Sequence, residues 1–265
     1  MSFRLLHERP GRPLIVGNAW DVGSALLLRS LGFAALATTS SGFGATLGRR
    51  DYAVSREEAL AYAKAVAEAV DIPVTGDLED GFGAEPEQVA ETVAAAARAG
   101  LAGGSIEDYT GDPAQPIHDL GRASERIAAA ADATAGSGAD FVLTARAENH
   151  LHSRHDLEDT IRRLRAYEAA GADVLYAPGL RTAEDIRRVV ESVGAPVNVL
   201  VSAHTPPVSV LAELGVRRVS VGGSFAFAAL GAAVEAAREL LEEGTSRFTE
   251  RAAVGRAALD EALRR

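Results

Sequence analysis

The sequence predicts a closed (β/α)8 barrel of the TIM type, and three observations carry that prediction. Short apolar runs bounded by Gly, Pro or polar residues alternate with longer alanine-rich stretches, giving eight strand–helix units in about 240 residues. Several helical stretches end in a glycine just before the next strand, at Leu31-Gly32-Phe33, Ala99-Gly100-Leu101, Ala170-Gly171-Ala172 and Leu214-Gly215-Val216. That pattern fits a left-handed cap feeding an inner strand. The Gly-x-Gly-x-x-Gly turn of an open doubly wound sheet, the alternative architecture, is absent.

In chain order the predicted strands are Pro13–Asn18, Ala34–Thr39, Pro73–Asp77, Gly104–Glu107, Phe141–Arg146, Val174–Tyr176, Pro196–Val201 and Val216–Val221. After the first strand, Trp20 reads as packing and Asp21 as a cap for the helix that follows. The helix Ser55–Val70 opens on a capping box, Ser55 with Glu58, and repeats Leu60, Ala63, Ala67 and Val70 at helical spacing. Further helices are expected near Pro86–Ala99, Ser124–Ala135, Asp156–Ala170, Thr182–Val193 and Phe225–Leu241. A last amphipathic stretch, Thr245–Leu263, is surplus to a minimal barrel. It suits either a cover for the barrel's own side or a helix donated to a neighbouring subunit. No linker, repeat or low-complexity segment divides the chain, so residues 1–265 read as one domain with 245–265 as a C-terminal helical extension.

Composition narrows the function classes. Apolar residues make up 47% of the 265, enough for a sizeable core. A net charge of −10 leaves no basic stripe to replace phosphate counterions, which argues against a nucleic-acid partner. The absence of cysteine excludes disulfides, thiolate metal sites and a cysteine nucleophile. The first residues lack the apolar core of a signal peptide, and no apolar run is long enough for a bilayer, so a cytoplasmic location is expected.

In such barrels the reacting groups sit at the C-terminal ends of the strands. Strand three ends in Asp77, Glu79 and Asp80, followed by Gly81-Phe82-Gly83; strand four ends in Glu107 and Asp108. Asp77 and Glu79, two apart on a strand, would point to one side. Adjacent anions are costly without a positive partner, and hard oxygen ligands suit Mg²⁺. Strand five carries Arg146, Glu148 and His150; strand six offers Tyr176, strand seven Asn198, and strand eight the turn Gly222-Gly223-Ser224. Thr39, Ser40 and Ser41 after strand two would offer hydroxyls and backbone N–H groups to an anionic end. Acids, a guanidinium and pre-aimed donors suit stabilisation of an enolate.

At these residues the chain resembles the isocitrate lyase / phosphoenolpyruvate mutase superfamily over nearly its whole length, above all its short bacterial members. The motifs are Leu47-Gly-Arg-Arg-Asp51, Asp77-Leu-Glu79-Asp-Gly-Phe-Gly83, Ile106-Glu107-Asp108, Ala145-Arg146-Ala-Glu148 and, less literally, Thr39-Ser40-Ser41-Gly42. The resemblance implies a (β/α)8 barrel that binds Mg²⁺ and forms an enolate of a 2-oxo acid. It implies Asp51, Asp77, Glu79 and Glu107 around the magnesium and Arg146 as the substrate clamp. It also implies a homo-oligomer, tetramer or dimer, with a late helix exchanged between neighbours. Arg146, Glu148 and Asn198 are the candidate catalytic residues; Thr39, Ser40, Ser41, Arg146 and Tyr176 the candidate substrate contacts. Arg146 equally suits a buried ion pair with Glu148 or Glu107.

The chain also departs from the family. The lyases' Lys-Lys-Cys-Gly-His loop is missing. The segment Tyr109–Asp119 lacks the mutases' Lys and Asn, and the His that some decarboxylating relatives place after strand eight is replaced by Gly222-Gly223-Ser224. A Mg²⁺-dependent lyase acting on a small 2-oxo or 2-hydroxy carboxylic acid is therefore expected. An oxaloacetate-type decarboxylase or hydrolase, a phosphonomutase, and a non-catalytic 2-oxo-acid-binding barrel are the alternatives. His118, His150, His204, Tyr109 and Tyr176 are candidates for the missing proton carrier.

Overall fold

Eight parallel strands pair in sequence order and close on themselves: β1 (Leu14–Asn18), β2 (Leu36–Ala37), β3 (Val74–Asp77), β4 (Gly103–Glu107), β5 (Val142–Arg146), β6 (Val174–Tyr176), β7 (Val197–Leu200) and β8 (Arg218–Ser220), which returns to β1. This computed structural model describes residues 2–9, 11–135 and 140–264. The predicted barrel and its eight strands are therefore present. The glycines at 32, 100, 171 and 215 all take positive φ, between 85° and 102°, so each helix turns into its strand through a left-handed residue.

The largest local difference lies in strand two. Pairing lasts only two residues, because Thr39 turns out of the sheet to become the N-cap of a helix, Ser40–Thr46. Its hydroxyl accepts the Gly42 N–H, the short-range bond that makes Thr a helix starter. Asp21 caps Val22–Ser30 through a reciprocal box with Ser24, and Ser55 does the same with Glu58 for Arg56–Ala69. The helix expected from Ser124 begins at Leu120, and Ser224–Arg238 ends in a π-helical turn, Glu239–Glu243.

Two apolar cores result. The larger one lies between the strands and the surrounding helices. A smaller one plugs the N-terminal end of the barrel, where Phe3 and Leu6 of the short helix Phe3–Leu6 meet Leu14, Val16, Ala35, Ala37, Val142 and Val174. Gly103 makes room for that plug: a Cβ there would lie 2.6 Å from the Val142 carbonyl oxygen and 3.1 Å from the Phe3 ring. Above the plug, the barrel interior is lined by small or polar residues, including Thr75, Ser105, Asn198 and Ser220, which leave a cavity of about 190 Å³ open towards the C-terminal ends of the strands. The last helix, Phe248–Ala262, packs on Val22–Ser30 and buries Ala262. On the preceding helix Phe227, Leu230 and Val234 form one apolar face, each about half exposed.

Candidate active site

The charged centre of the mouth is Arg146, at the end of β5. Its Nη1 lies 3.0 Å from Asp77 Oδ1, its Nη2 2.9 Å from Glu107 Oε2 and its Nε 2.9 Å from Glu148 Oε1. The strand register explains the convergence, since β4 places Glu107 directly beside Arg146 and β5 places Arg146 beside Tyr176. The guanidinium carbon stands 5.3 Å from the centre of the Tyr176 ring, so a π face supports its plane. Both sequence readings of Arg146 thus meet in one geometry. It ion-pairs with Glu107 and Glu148, and it sits in the wall of the cavity. Asp77 and Glu107 come together as expected, but around a guanidinium.

Three carboxylates exceed what one cation can neutralise. Burial pushes the Glu107 and Glu148 carboxyls above the usual range, against the pull of Arg146. Glu148 Oε2 has no partner among the described residues. Burial likewise raises Asp51, and it raises Glu79 to about 8 with help from the neighbouring charges of Asp77, Asp51 and Asp80. Glu79 reaches this cluster by a route the sequence pattern did not show. The strand ends at Asp77, and Glu79 takes φ +49°, so a left-handed turn rather than strand alternation aims it. Arg126 holds that turn from behind by donating to the carbonyls of Asp80, Gly83 and Ala84.

Thr39, Ser40 and Ser41 line the cavity, but the first two are already engaged. Thr39 caps its helix, and Ser40 donates both its backbone N–H, at 3.0 Å, and its hydroxyl, at 2.9 Å, to Asp77 Oδ2. Their bonds orient Asp77. Asn198 is buried and spans two neighbours: its Nδ2 donates to Ser220, and its Oδ1 accepts from Arg218 Nε. Asp108 turns away from the mouth, binding the Tyr167 hydroxyl, Arg163 and the Glu148 backbone N–H, which anchors the end of β5. Of the histidines, His118 sends its carbonyl to Arg163, His150 faces His155, and His204 lies in an exposed turn.

Two functional candidates lay outside the sequence reading. Tyr52, directly after Asp51, takes φ +60° and donates its hydroxyl to Glu107 Oε1. Its ring leans on Tyr109, which stacks on His152, so three loops meet over the acids. The second is Arg218 on β8. In Val216-Arg-Arg-Val-Ser-Val221 only one of two adjacent arginines can face outward; Arg217 does, and Arg218 enters the barrel. That alternation was the available signal.

Among the described residues no three acidic or histidine groups stand close enough to share an ion as direct ligands. Mg²⁺ does not require this, because it keeps several waters and takes one or two carboxylates. The crowding of carboxyls around Asp77, where burial and then mutual repulsion raise Glu79 and Asp51, fits a hydrated dication.

Comparison with known proteins places this geometry. Residues 3–241 match the family described as phosphoenolpyruvate phosphomutase. A crystal structure of a provisionally named lyase/mutase from Burkholderia cenocepacia J2315 is 50% identical, with a TM-score of 0.91, covering 94% of this chain and 90% of its own. An uncharacterized protein of Mycobacterium tuberculosis is 34% identical over 90% of this chain and 88% of its own length. A phosphonopyruvate hydrolase, solved with oxalate and Mg²⁺, is 26% identical with a TM-score of 0.84, covering 95% of this chain and 91% of its own. Other relatives, at 29–30% identity, are named 2-methylisocitrate lyase, 2,3-dimethylmalate lyase and oxaloacetate decarboxylase. The chain therefore belongs to the phosphoenolpyruvate phosphomutase family, within the isocitrate lyase / phosphoenolpyruvate mutase superfamily.

Proposed function

We propose that this protein is a Mg²⁺-dependent lyase that cleaves a carbon–carbon bond of a small 2-oxo or 2-hydroxy carboxylic acid through an enolate. The observation that supports it most is the gathering of Asp77, Glu107 and Glu148 on Arg146, beside Asp51 and Glu79, at the mouth of a family barrel. The cavity of about 190 Å³ is smaller than the ~300–1,000 Å³ of drug-sized sites and suits a compact acid. Asp77 would hold the ion, with Asp51, Glu79 and Glu107 reaching it directly or through water. When bound, Mg²⁺ supplies Lewis-acid polarisation of the substrate's carbonyl oxygen.

The remaining work falls to the chain's own groups. Ser40 fixes the direction of Asp77. Arg146, its plane set by Tyr176, grips a carboxylate through parallel N–H bonds. Tyr52, Tyr109 and His152 pack on one another beside Glu107 and hold the loops at the rim together. Burial and the Glu107 charge hold the Tyr52 phenol far above its ordinary value, so it keeps its proton and releases it only to a strongly basic partner, such as an enolate carbon. We assign to its Oη the proton that quenches the enolate, the task for which the chain has neither cysteine nor a loop lysine.

The Asp77→Ala protein, assayed with Mg²⁺ on a panel of C3–C6 keto and hydroxy acids, is expected to lose metal binding and turnover together. Undiminished turnover would falsify the reading. The products decide the reaction. Decarboxylation or hydrolysis of an oxaloacetate-like acid is the second reading, favoured by the missing cysteine and by a relative named oxaloacetate decarboxylase. Phosphonomutase chemistry ranks below it, since the loop lacks Lys and Asn. Tight oxalate binding without turnover on any acid would indicate a non-catalytic binder.

The apolar face of Phe227, Leu230 and Val234 supports a homo-oligomer, tetramer or dimer, with the C-terminal helices exchanged between subunits. No described helix is long and apolar enough to cross a membrane, and the acidic net charge disfavours nucleic acid. We take the site of action to be the cytoplasm.

A further inference from the structure

Arg218 is a buried cation with no acid paired to it among the described residues. Its residue is 5% exposed, and its contacts are neutral: Nε donates to Asn198 Oδ1 at 3.0 Å and Nη2 to Thr144 Oγ1 at 3.0 Å. Nη1 has no partner among the described residues. A guanidinium carries five N–H donors and stays protonated in proteins, so this is a fixed, under-satisfied positive charge. Burial lowers its pKa to about 10, which leaves it charged at neutral pH.

Of the other buried arginines two are paired with acids, and the third, Arg126, whose Nε also lacks a partner among the described residues, lies outside the cavity. Arg146 meets three carboxylates, Arg163 meets Asp108 and Asp159, and Arg126 donates to three backbone carbonyls. Leaving a buried charge unpaired is expensive, and the usual remedy is a counter-ion. Arg218 also lines the same cavity as Asp77 and Arg146, together with the hydroxyl residues Thr75, Ser105 and Ser220. Thr144, its anchor, lies two residues before Arg146 on β5, so Arg218 sits one layer deeper, roughly 6–7 Å along the strand.

We propose that the floor of this cavity is a second, unassigned anion site, in which Arg218, oriented by Asn198 and Thr144, receives one compact monoanionic group. Two sources share that chemistry: a free halide or small carboxylate, and the far carboxylate of an organic diacid whose other end lies at Arg146. The site does not depend on the reaction proposed above.

Thermal unfolding separates the sources. Wild type and Arg218→Met are compared in zwitterionic buffer, with ionic strength set by a bulky sulfonate. One arm adds chloride or acetate without metal; the other adds Mg²⁺ with oxalate or with succinate. A free-anion site raises the wild-type Tm in the first arm by roughly 5–10 °C at ~100-fold above half-saturation, and Arg218→Met abolishes the rise. A rise with Mg²⁺ and succinate only, again lost in Arg218→Met while the oxalate rise survives, assigns the site to the diacid. No rise in either arm, or an equal rise in the variant, overturns the proposal. Should Arg218→Met fail to fold, wild-type crystals grown in bromide and in Mg²⁺–succinate give the independent readout. An anomalous peak or succinate density at Nη1 supports the site, and the absence of both overturns it.

Discussion

Two arginines enter this barrel from neighbouring layers, and their surroundings are opposite. Arg146 is ringed by Asp77, Glu107 and Glu148, with an aromatic face beneath it. Among the described residues Arg218 hydrogen-bonds an amide and a hydroxyl and no acid. Around Arg146 negative charge is in excess, and the group still wanted there is a cation. Around Arg218 positive charge is in excess, and the group still wanted is an anion. A small acid bound to a dication has both characters, so the two layers describe one ligand-binding column from two sides.

The comparison breaks most visibly at Arg146. Arg146→Met should cost about 3–5 kcal/mol, because it strands buried carboxylates that no other residue can neutralise. Urea midpoints measured without metal check this, and saturating Mg²⁺ should return part of the loss. A cost under about 1 kcal/mol would mean the acids are already protonated and that the ion-pair description is wrong.

Acid titration comes next. His7, packed below the cavity with its Nδ1 bonded to the Phe3 carbonyl, is held down to about 4 by burial and then by the Arg218 charge. Its folded value lies below its unfolded value of about 6.5, so the folded state binds fewer protons. The contribution is full above pH 6.5 and is lost as pH falls from there towards 4. It amounts to ~3 kcal/mol. Stability curves of wild type and His7→Gln should therefore converge over that window. In Arg218→Met the window should narrow, because one of the two causes is gone. Identical pH curves for all three proteins would remove His7 from the account.

Tyr52→Phe probes the other side of Glu107. The buried carboxylate loses one donor, at a cost of about 1–2 kcal/mol. Turnover should fall by 10²–10⁴-fold if the phenol moves the proton, while Mg²⁺ affinity stays within a few fold. Full turnover in Tyr52→Phe returns the acid role to another group. The smallest effect is expected at Arg218 itself. In anion-free buffer Arg218→Met should change stability by about 1 kcal/mol or less, since the lost bonds to Asn198 and Thr144 are offset by relief of an unpaired charge. A loss as large as that of Arg146→Met would show a hidden compensating partner and erase the contrast.

Much of the mouth was legible before any coordinates. Asp77, Glu107 and Arg146 could be assigned to the ends of strands three, four and five, because strand ends in a barrel all face one rim. Glu79 was expected there for a reason that does not hold, since its position comes from a left-handed turn. Thr39 and Ser40 were read as free donors, yet one starts a helix and the other holds Asp77. Such competition between local capping and ligand binding cannot be seen from residue type. Tyr52 and Arg218 were missed because the contacts that place them, Tyr52 with Glu107 and Arg218 with Thr144, join residues more than fifty positions apart along the chain.

Periodicity, glycine caps and the acid-rich strand ends were enough, as sequence, to specify an eight-stranded barrel and to name most of the residues at its mouth. Those signals are local, written in three- to seven-residue patterns that the backbone reads directly. Which charges neutralise which was decided only by closure of the sheet. It set Arg146 against acids from β3 and β4 beside its own neighbour Glu148, and Arg218 against none among the described residues. Pairing of charges across a barrel depends on register and depth, and neither has a counterpart in the order of residues.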